Sequence, residues 1–214
     1  MTLARNTKPS GLSRFICVIG LMVFSFNGLT QTENELIEEV VAFQSEQNAH
    51  YLSKKSSPLS KKERKAFHGH DFYEIDLSFI VNAAFEFIER EDTVEMSTSS
   101  GMIKYYRPYA NLKFELKGVS CQLTAYQSLT LRETEEYKNY LFVPFRDLTS
   151  GSESYGGGRY LDLLIPSGTT IQLNFNLAYN PYCAYTTGYN CTIPPEENTL
   201  PVAVRAGLKA PPAH

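Results

Sequence analysis

The side chains with the most chemical capacity lie between Phe145 and Asn198. The first stretch reads Phe145-Arg146-Asp147-Leu148-Thr149-Ser150-Gly151, then Ser152-Glu153-Ser154-Tyr155-Gly156-Gly157-Gly158-Arg159-Tyr160-Leu161-Asp162. Two guanidiniums and three carboxylates fall here. Arg146 and Arg159 could hold a carboxylate or another anion through paired N–H donors. Glu153 or Asp162 could then polarise or deprotonate a bound group. The same charges could instead pair with one another and hold a loop, because charge clusters also arise for structural reasons. Charged strand edges joined by a short loop are expected to bring these groups together at one end of a sheet. The three glycines permit positive φ or close backbone approach. They precede a strand and not a helix, so no helix N-terminus is on hand to receive a phosphate.

The second stretch runs through Asn176, Tyr179, Asn180-Pro181-Tyr182-Cys183-Ala184-Tyr185, Tyr189 and Cys191 to Pro194-Pro195 and Asn198. Four tyrosines within eleven residues, stiffened by prolines, suit a ring-stacking surface for a sugar or a peptide. A long loop without helix could equally pack its own rings as a small core. The candidate ligand-binding set is therefore Arg146, Asp147, Glu153, Tyr155, Arg159, Asp162, Asn180, Tyr185 and Asn198. No catalytic role can be assigned within it, and it calls for no cofactor.

Cys183 and Cys191 flank seven residues and are expected to form a disulfide in an oxidising compartment, worth about 2–3 kcal/mol by loop entropy. A metal site would need further ligands, and no His lies between Asp71 and Ala213. His68-Gly69-His70-Asp71 has the types for Zn²⁺ or Fe²⁺ but no third ligand at standard spacing, and reads as an exposed helix-to-strand turn with incidental histidines. No metal is therefore expected. Hydrolase, zincin, Walker and dinucleotide-binding motifs are absent from the sequence.

These groups need elements to position them. Thr32 to Glu35 is a capping box, and Leu36, Ile37, Val40, Val41, Phe43, Tyr51 and Leu52 follow mostly at helical spacing. The pattern predicts a helix over 33–52. Ser60 to Glu63 is a second box, starting a short helix that ends near Phe67. From Phe72 the apolar period becomes two. Phe79, Val81 and Ala83 lead into Phe85 and Phe87; Ala110 to Leu116 turn at Gly118 into Cys121, Leu123 and Ala125. Leu141, Val143 and Phe145 follow, then Leu161, Leu163 and Ile165, then Ile171, Leu173, Phe175 and Leu177, and last Val202 and Val204. Turn signals and not helices separate these runs. The expectation is an α+β chain, mainly β: about eight strands in an antiparallel sheet curled into a sandwich or partly open barrel.

Before the first helix, Arg5, Lys8 and Arg14 precede the ten-residue apolar run Phe15 to Phe24 and a polar exit. That is the form of a signal peptide over 1–30, with an uncleaved anchor as the alternative; a spanning helix needs about 20 residues. The expected organisation is a helical segment over 31–70 and a β domain over 71–209. Of 20 Lys+Arg, three lie in the signal, leaving 17 against 23 Asp+Glu and a charge of −6. An acidic surface argues against nucleic acid.

The pieces Phe145-Arg146-Asp147, Ser150-Gly151-x-Glu153-x-Tyr155-Gly156-Gly157-Gly158-Arg159-Tyr160-x-Asp162, Asn176-x-x-Tyr179-Asn180-Pro181-x-Cys183-Ala184-Tyr185 and Cys191-x-x-Pro194-Pro195-x-x-Asn198 resemble an uncharacterised bacterial and archaeal family, domain of unknown function 1684. The resemblance spans roughly Glu35 to Lys209, and the chain departs from the family at His68 to Asp71. It implies no activity, but it implies that these polar stretches form a shared site or specify the fold. Three functions fit: an exported protein binding a small polar ligand, anionic or sugar-like; a hydrolase using Glu153 or Asp162 with Arg159; or a structural module of the cell envelope.

Overall fold

The structure is a computed structural model and describes residues 31–212; the expected signal peptide lies outside the described residues. Helix α1 spans Glu33–Leu52 and α2 spans Lys61–Ala66, each begun by a reciprocal capping box, Thr32 with Glu35 and Ser60 with Glu63. Strands β1 (Ile80–Phe87), β2 (Val94–Ser97), β3 (Ile103–Leu116), β4 (Val119–Ser128), β5 (Tyr140–Phe145), β6 (Arg159–Leu164) and β7 (Thr170–Asn174) follow. They form one antiparallel sheet in the order β6-β5-β4-β3-β1-β7, with β2 also on β3. The sheet curls into a half-barrel.

The β3–β4 hairpin sets the register. Lys117 and Gly118 both hold positive φ, 52° and 79°, which gives the tight turn whose twist matches the strands. Leu112 then opposes Leu123, and Phe114 opposes Cys121. Alternate residues Ala110, Leu112, Phe114 and Leu116 join Leu123, Leu141, Val143, Leu161 and Leu173 in an aliphatic core on one face.

The other face is different. β3 slips register between Pro108 and Ala110. One extra residue in a strand moves what lies before it to the opposite face. Tyr106 therefore leaves the aliphatic face and packs with Met96, Tyr126, Phe142 and Tyr160 in a second, tyrosine-rich cluster. A third cluster joins Tyr51 at the end of α1 to Leu59, Ala184, Tyr185 and Leu208. The packed face of α1 runs from Val40 to Tyr51, and Ile37 and Val41 of the apolar stripe lie off it and stay exposed.

Two expected strands differ. β7 stops at Asn174, whose side chain accepts from the Asn176 N–H and starts a 3-10 turn over Phe175–Leu177. Phe175 stays buried all the same. Val202 and Val204 are buried but form no strand, because their segment is bonded elsewhere. The Val204 N–H goes to the Asp147 carboxylate, and its carbonyl goes to Arg159. Cys183 and Cys191 are joined by a disulfide.

Candidate ligand-binding cleft

Strand geometry separates the polar residues into two groups. Along β6 the side chains alternate, so Arg159 and Leu161 enter the aliphatic core while Tyr160 and Asp162 face the tyrosine side.

On the core face, Arg159 and Asp147 form an ion pair of 2.8 Å with neither side chain exposed. Arg159 also donates to the carbonyls of Val204 (2.8 Å), Ala206 (2.5 Å) and Leu208 (3.2 Å). Four of its five N–H groups are thus engaged; only Nε lacks a partner. The second Asp147 oxygen accepts from Thr149 N (2.7 Å), Thr149 Oγ1 (2.6 Å) and Val204 N (3.2 Å). This pair ties the C-terminal segment to the end of β5. Gly207 makes that approach possible: its φ is +77°, and a Cβ there would strike the carbonyls of Ala178 and Phe175. Gly158, at φ +88°, lies equally tight against the Pro194 ring and the Phe145 carbonyl.

The neighbouring candidates are tied down similarly. β4 and β5 pair only at Tyr126 and Phe142. Beyond that point Asn198, fully buried, takes the place of a ladder: its Oδ1 accepts from Thr124 N (2.8 Å), and its Nδ2 donates to Thr124 O (2.9 Å) and Pro144 O (2.8 Å). Arg146 reaches the Pro194 carbonyl at 3.4 Å. Glu153 is exposed and bidentate with Arg205, at 2.8 and 2.7 Å, and these hydrogen bonds hold its carboxyl below the usual range. Asn180 donates to Tyr185 Oη (2.9 Å) and Lys209 O (2.8 Å), and the Tyr155 hydroxyl lies 3.5 Å from the Cys183 carbonyl. Glu153, Asp162 and Arg159 do not converge.

Asp162 stands apart from all of these, in a cleft of about 620 Å³ between α1, the tyrosine face of the sheet and the disulfide loop. Its walls include Phe43, His50 and Tyr51 from α1, Lys104 and Tyr106 from β3, Tyr140, Phe142 and Tyr160 from β5 and β6, and Tyr179, Tyr182 and Tyr189 from the loop. Tyr140 donates to Asp162 Oδ1 at 2.6 Å, and the Tyr179 hydroxyl lies 2.8 and 3.0 Å from its two oxygens. The carboxylate is open to solvent by area yet crowded by protein on most sides. The thinned hydration raises its pKa, and the two phenols offset part of the rise. Burial and the adjacent carboxylate push both phenols well above the usual tyrosine range. At the rim, His50 Nε2 and Tyr182 Oη lie 3.1 Å apart.

Residues 65–209 match the family described as protein of unknown function (DUF1684). The chain belongs to this family. Among solved structures it is similar to an uncharacterized protein of Haloarcula marismortui, determined by solution NMR. The identity is 34% and the TM-score 0.65, over 85% of this chain and 97% of that one. Comparison with curated proteins returned no match. Both polar groups lie within the segment that matches DUF1684, whereas α1, which contributes one cleft wall, precedes it.

The sequence pointed to Asp162 and to the loop tyrosines, and the fold brings those together. Tyr106, Tyr140 and Lys104 were not singled out, and Tyr160 entered only as part of a motif. Tyr140 and Tyr160 carried a usable signal, since tyrosines on the non-aliphatic positions of adjacent strands mark an aromatic face. Of the histidine pair, His68 is exposed and His70 is packed among Tyr51, Phe67, Phe72 and Tyr185. Burial pushes His70 down to about 4. Among the described residues no group of three or more His, Cys, Asp or Glu is placed to hold a metal.

Proposed function

We propose that this protein is exported and binds a small polar, sugar-like ligand in the tyrosine-lined cleft. The observation that carries the reading is Asp162. It is a carboxylate fixed by two phenols, reachable by solvent and set among aromatic side chains. Small-molecule sites are concave, mostly apolar or aromatic, and carry a few convergent polar groups. Tyrosine rings offer stacking area, and their hydroxyls offer hydrogen bonds to ligand hydroxyls. A carboxylate repels anions, so the cleft suits a hydroxylated ligand better than an anionic one.

Export is supported by the basic-apolar-polar form of residues 1–30 and by the disulfide. Among the described residues no helix is long and apolar enough to cross a membrane. The test is a thermal-shift and calorimetric screen of mono- and disaccharides against the full chain, since a ligand that binds only the folded form raises its apparent stability. Saturable binding that Tyr179→Ala abolishes, while the fold persists, supports the reading. Binding that is unaffected by cleft substitutions overturns it.

A further inference from the structure

We infer that the ligand of this cleft carries a primary ammonium group, as an amino sugar does, and that the ammonium seats on Asp162. The inference rests on the cleft being the binding site and adds the chemical class of what it binds.

The geometry around Asp162 leads there. Among the described residues, no ion pair includes Asp162: each paired Arg or Lys meets another carboxylate. Its two bonded partners, Tyr140 and Tyr179, are neutral donors. Both phenols donate toward Asp162, and a phenol oxygen that donates its one proton can still accept. A carboxylate with spare lone pairs, flanked by two accepting phenol oxygens, presents acceptors and no charged donor. An ammonium supplies three donors and the missing charge in one group.

Tyr160 stands edge-on to Tyr179 at 5.7 Å between centroids, and Phe142 stands edge-on to Tyr160 at 4.7 Å, so packed rings hold Tyr179 in place beside the carboxylate. Lys104 also lines the cleft, and burial lowers its pKa, which weakens its hold on the charge that would compete with an ammonium there.

The experiment compares glucosamine with glucose on the full chain by calorimetry, with tyrosine fluorescence as a second readout that no tryptophan obscures. Glucosamine should bind about tenfold or more tightly than glucose. The advantage should disappear in Asp162→Asn, and added salt should weaken glucosamine but not glucose. Equal affinities for the two sugars, both lost on cleft substitution, overturn the ammonium inference and leave the sugar-binding reading standing. Saturable binding of neither sugar overturns both. Where Asp162→Asn fails to fold, the salt dependence of the native chain decides: an advantage for glucosamine that salt does not touch overturns the ammonium inference.

Discussion

Arg159 and Asp162 lie three residues apart on β6 and face opposite sides of the sheet. On one side Arg159 meets a carboxylate and three carbonyls with no exposure to water. On the other, Asp162 meets two phenols in an open cleft and no cation. A buried charge with nearly all its valences filled has nothing to offer a ligand, and its work is to hold the chain. A charge left with spare lone pairs at an accessible surface has not been used by the fold. The same strand thus carries a structural lock and a candidate recognition group, and the state of hydrogen bonding, not the residue type, tells them apart.

The largest effects are expected on the lock. Asp147→Asn or Arg159→Met should cost about 3–5 kcal/mol, because removing one partner leaves the other charge or its acceptors buried and unpaired. Chemical denaturation reads this directly. The double variant Asp147→Leu with Arg159→Met should not recover the loss, since the carbonyls of Val204, Ala206 and Leu208 stay without donors. Full recovery would show the pair to be a replaceable filler and would break the contrast with Asp162.

Asn198→Ala tests whether the lock extends to β4 and β5. It strands Thr124 N, Thr124 O and Pro144 O, for an expected cost of about 2–4 kcal/mol. Hydrogen exchange at Thr124 should accelerate while the β3–β4 hairpin amides stay protected. Uniform loss of protection would instead mean that the amide holds the whole sheet and not one seam.

Much of this architecture could be read from the residues. The capping boxes at Thr32 and Ser60, the turn at Gly118 and the alternation of Leu112, Leu123, Leu141 and Leu161 are local patterns, and local patterns survive into the structure. The departures come from long-range contacts. The slip at Pro108–Ala110 turns Tyr106 to the cleft, and nothing in the alternation announces it. Val202 and Val204 alternate like a strand, yet Asp147 and Arg159, far away in sequence, have taken the bonds a partner strand would need. The separation of Arg159 from Asp162 was legible: an odd spacing along a strand puts two side chains on opposite faces.

On the cleft side the disulfide comes next in size. Reduction, or Cys183→Ser with Cys191→Ser, should cost about 2–3 kcal/mol. The loop that carries Tyr182 and Tyr189 into the cleft should loosen, while the Arg159 lock stays intact. Mass spectrometry under non-reducing conditions should find the two cysteines linked; free thiols at both would remove this constraint on the cleft wall.

The smallest effect is on Asp162 itself, and its sign is the sharpest distinction from Asp147. Thinned hydration raises the Asp162 pKa in the folded chain above its ordinary value. The folded state therefore binds that proton more tightly than the unfolded state does. The stabilisation from protonation is fully present below the unfolded pKa and is lost as pH rises through the folded one. At neutral pH the ionised carboxylate works against the fold, so Asp162→Asn should raise stability, by up to about 1 kcal/mol once solvent screening of an accessible group is allowed for. In a chain of this size that is ~2–4 °C in Tm. The gain should shrink as pH falls and the native side chain takes up its proton. Thermal melts of both chains from neutral to acid pH measure it. A variant less stable than the native chain at neutral pH, or a difference that does not change with pH, would place Asp162 with Asp147 among the groups that hold the fold. A gain that closes toward acid marks a charge kept at a cost to the fold, which is expected of a group whose partner arrives from solution.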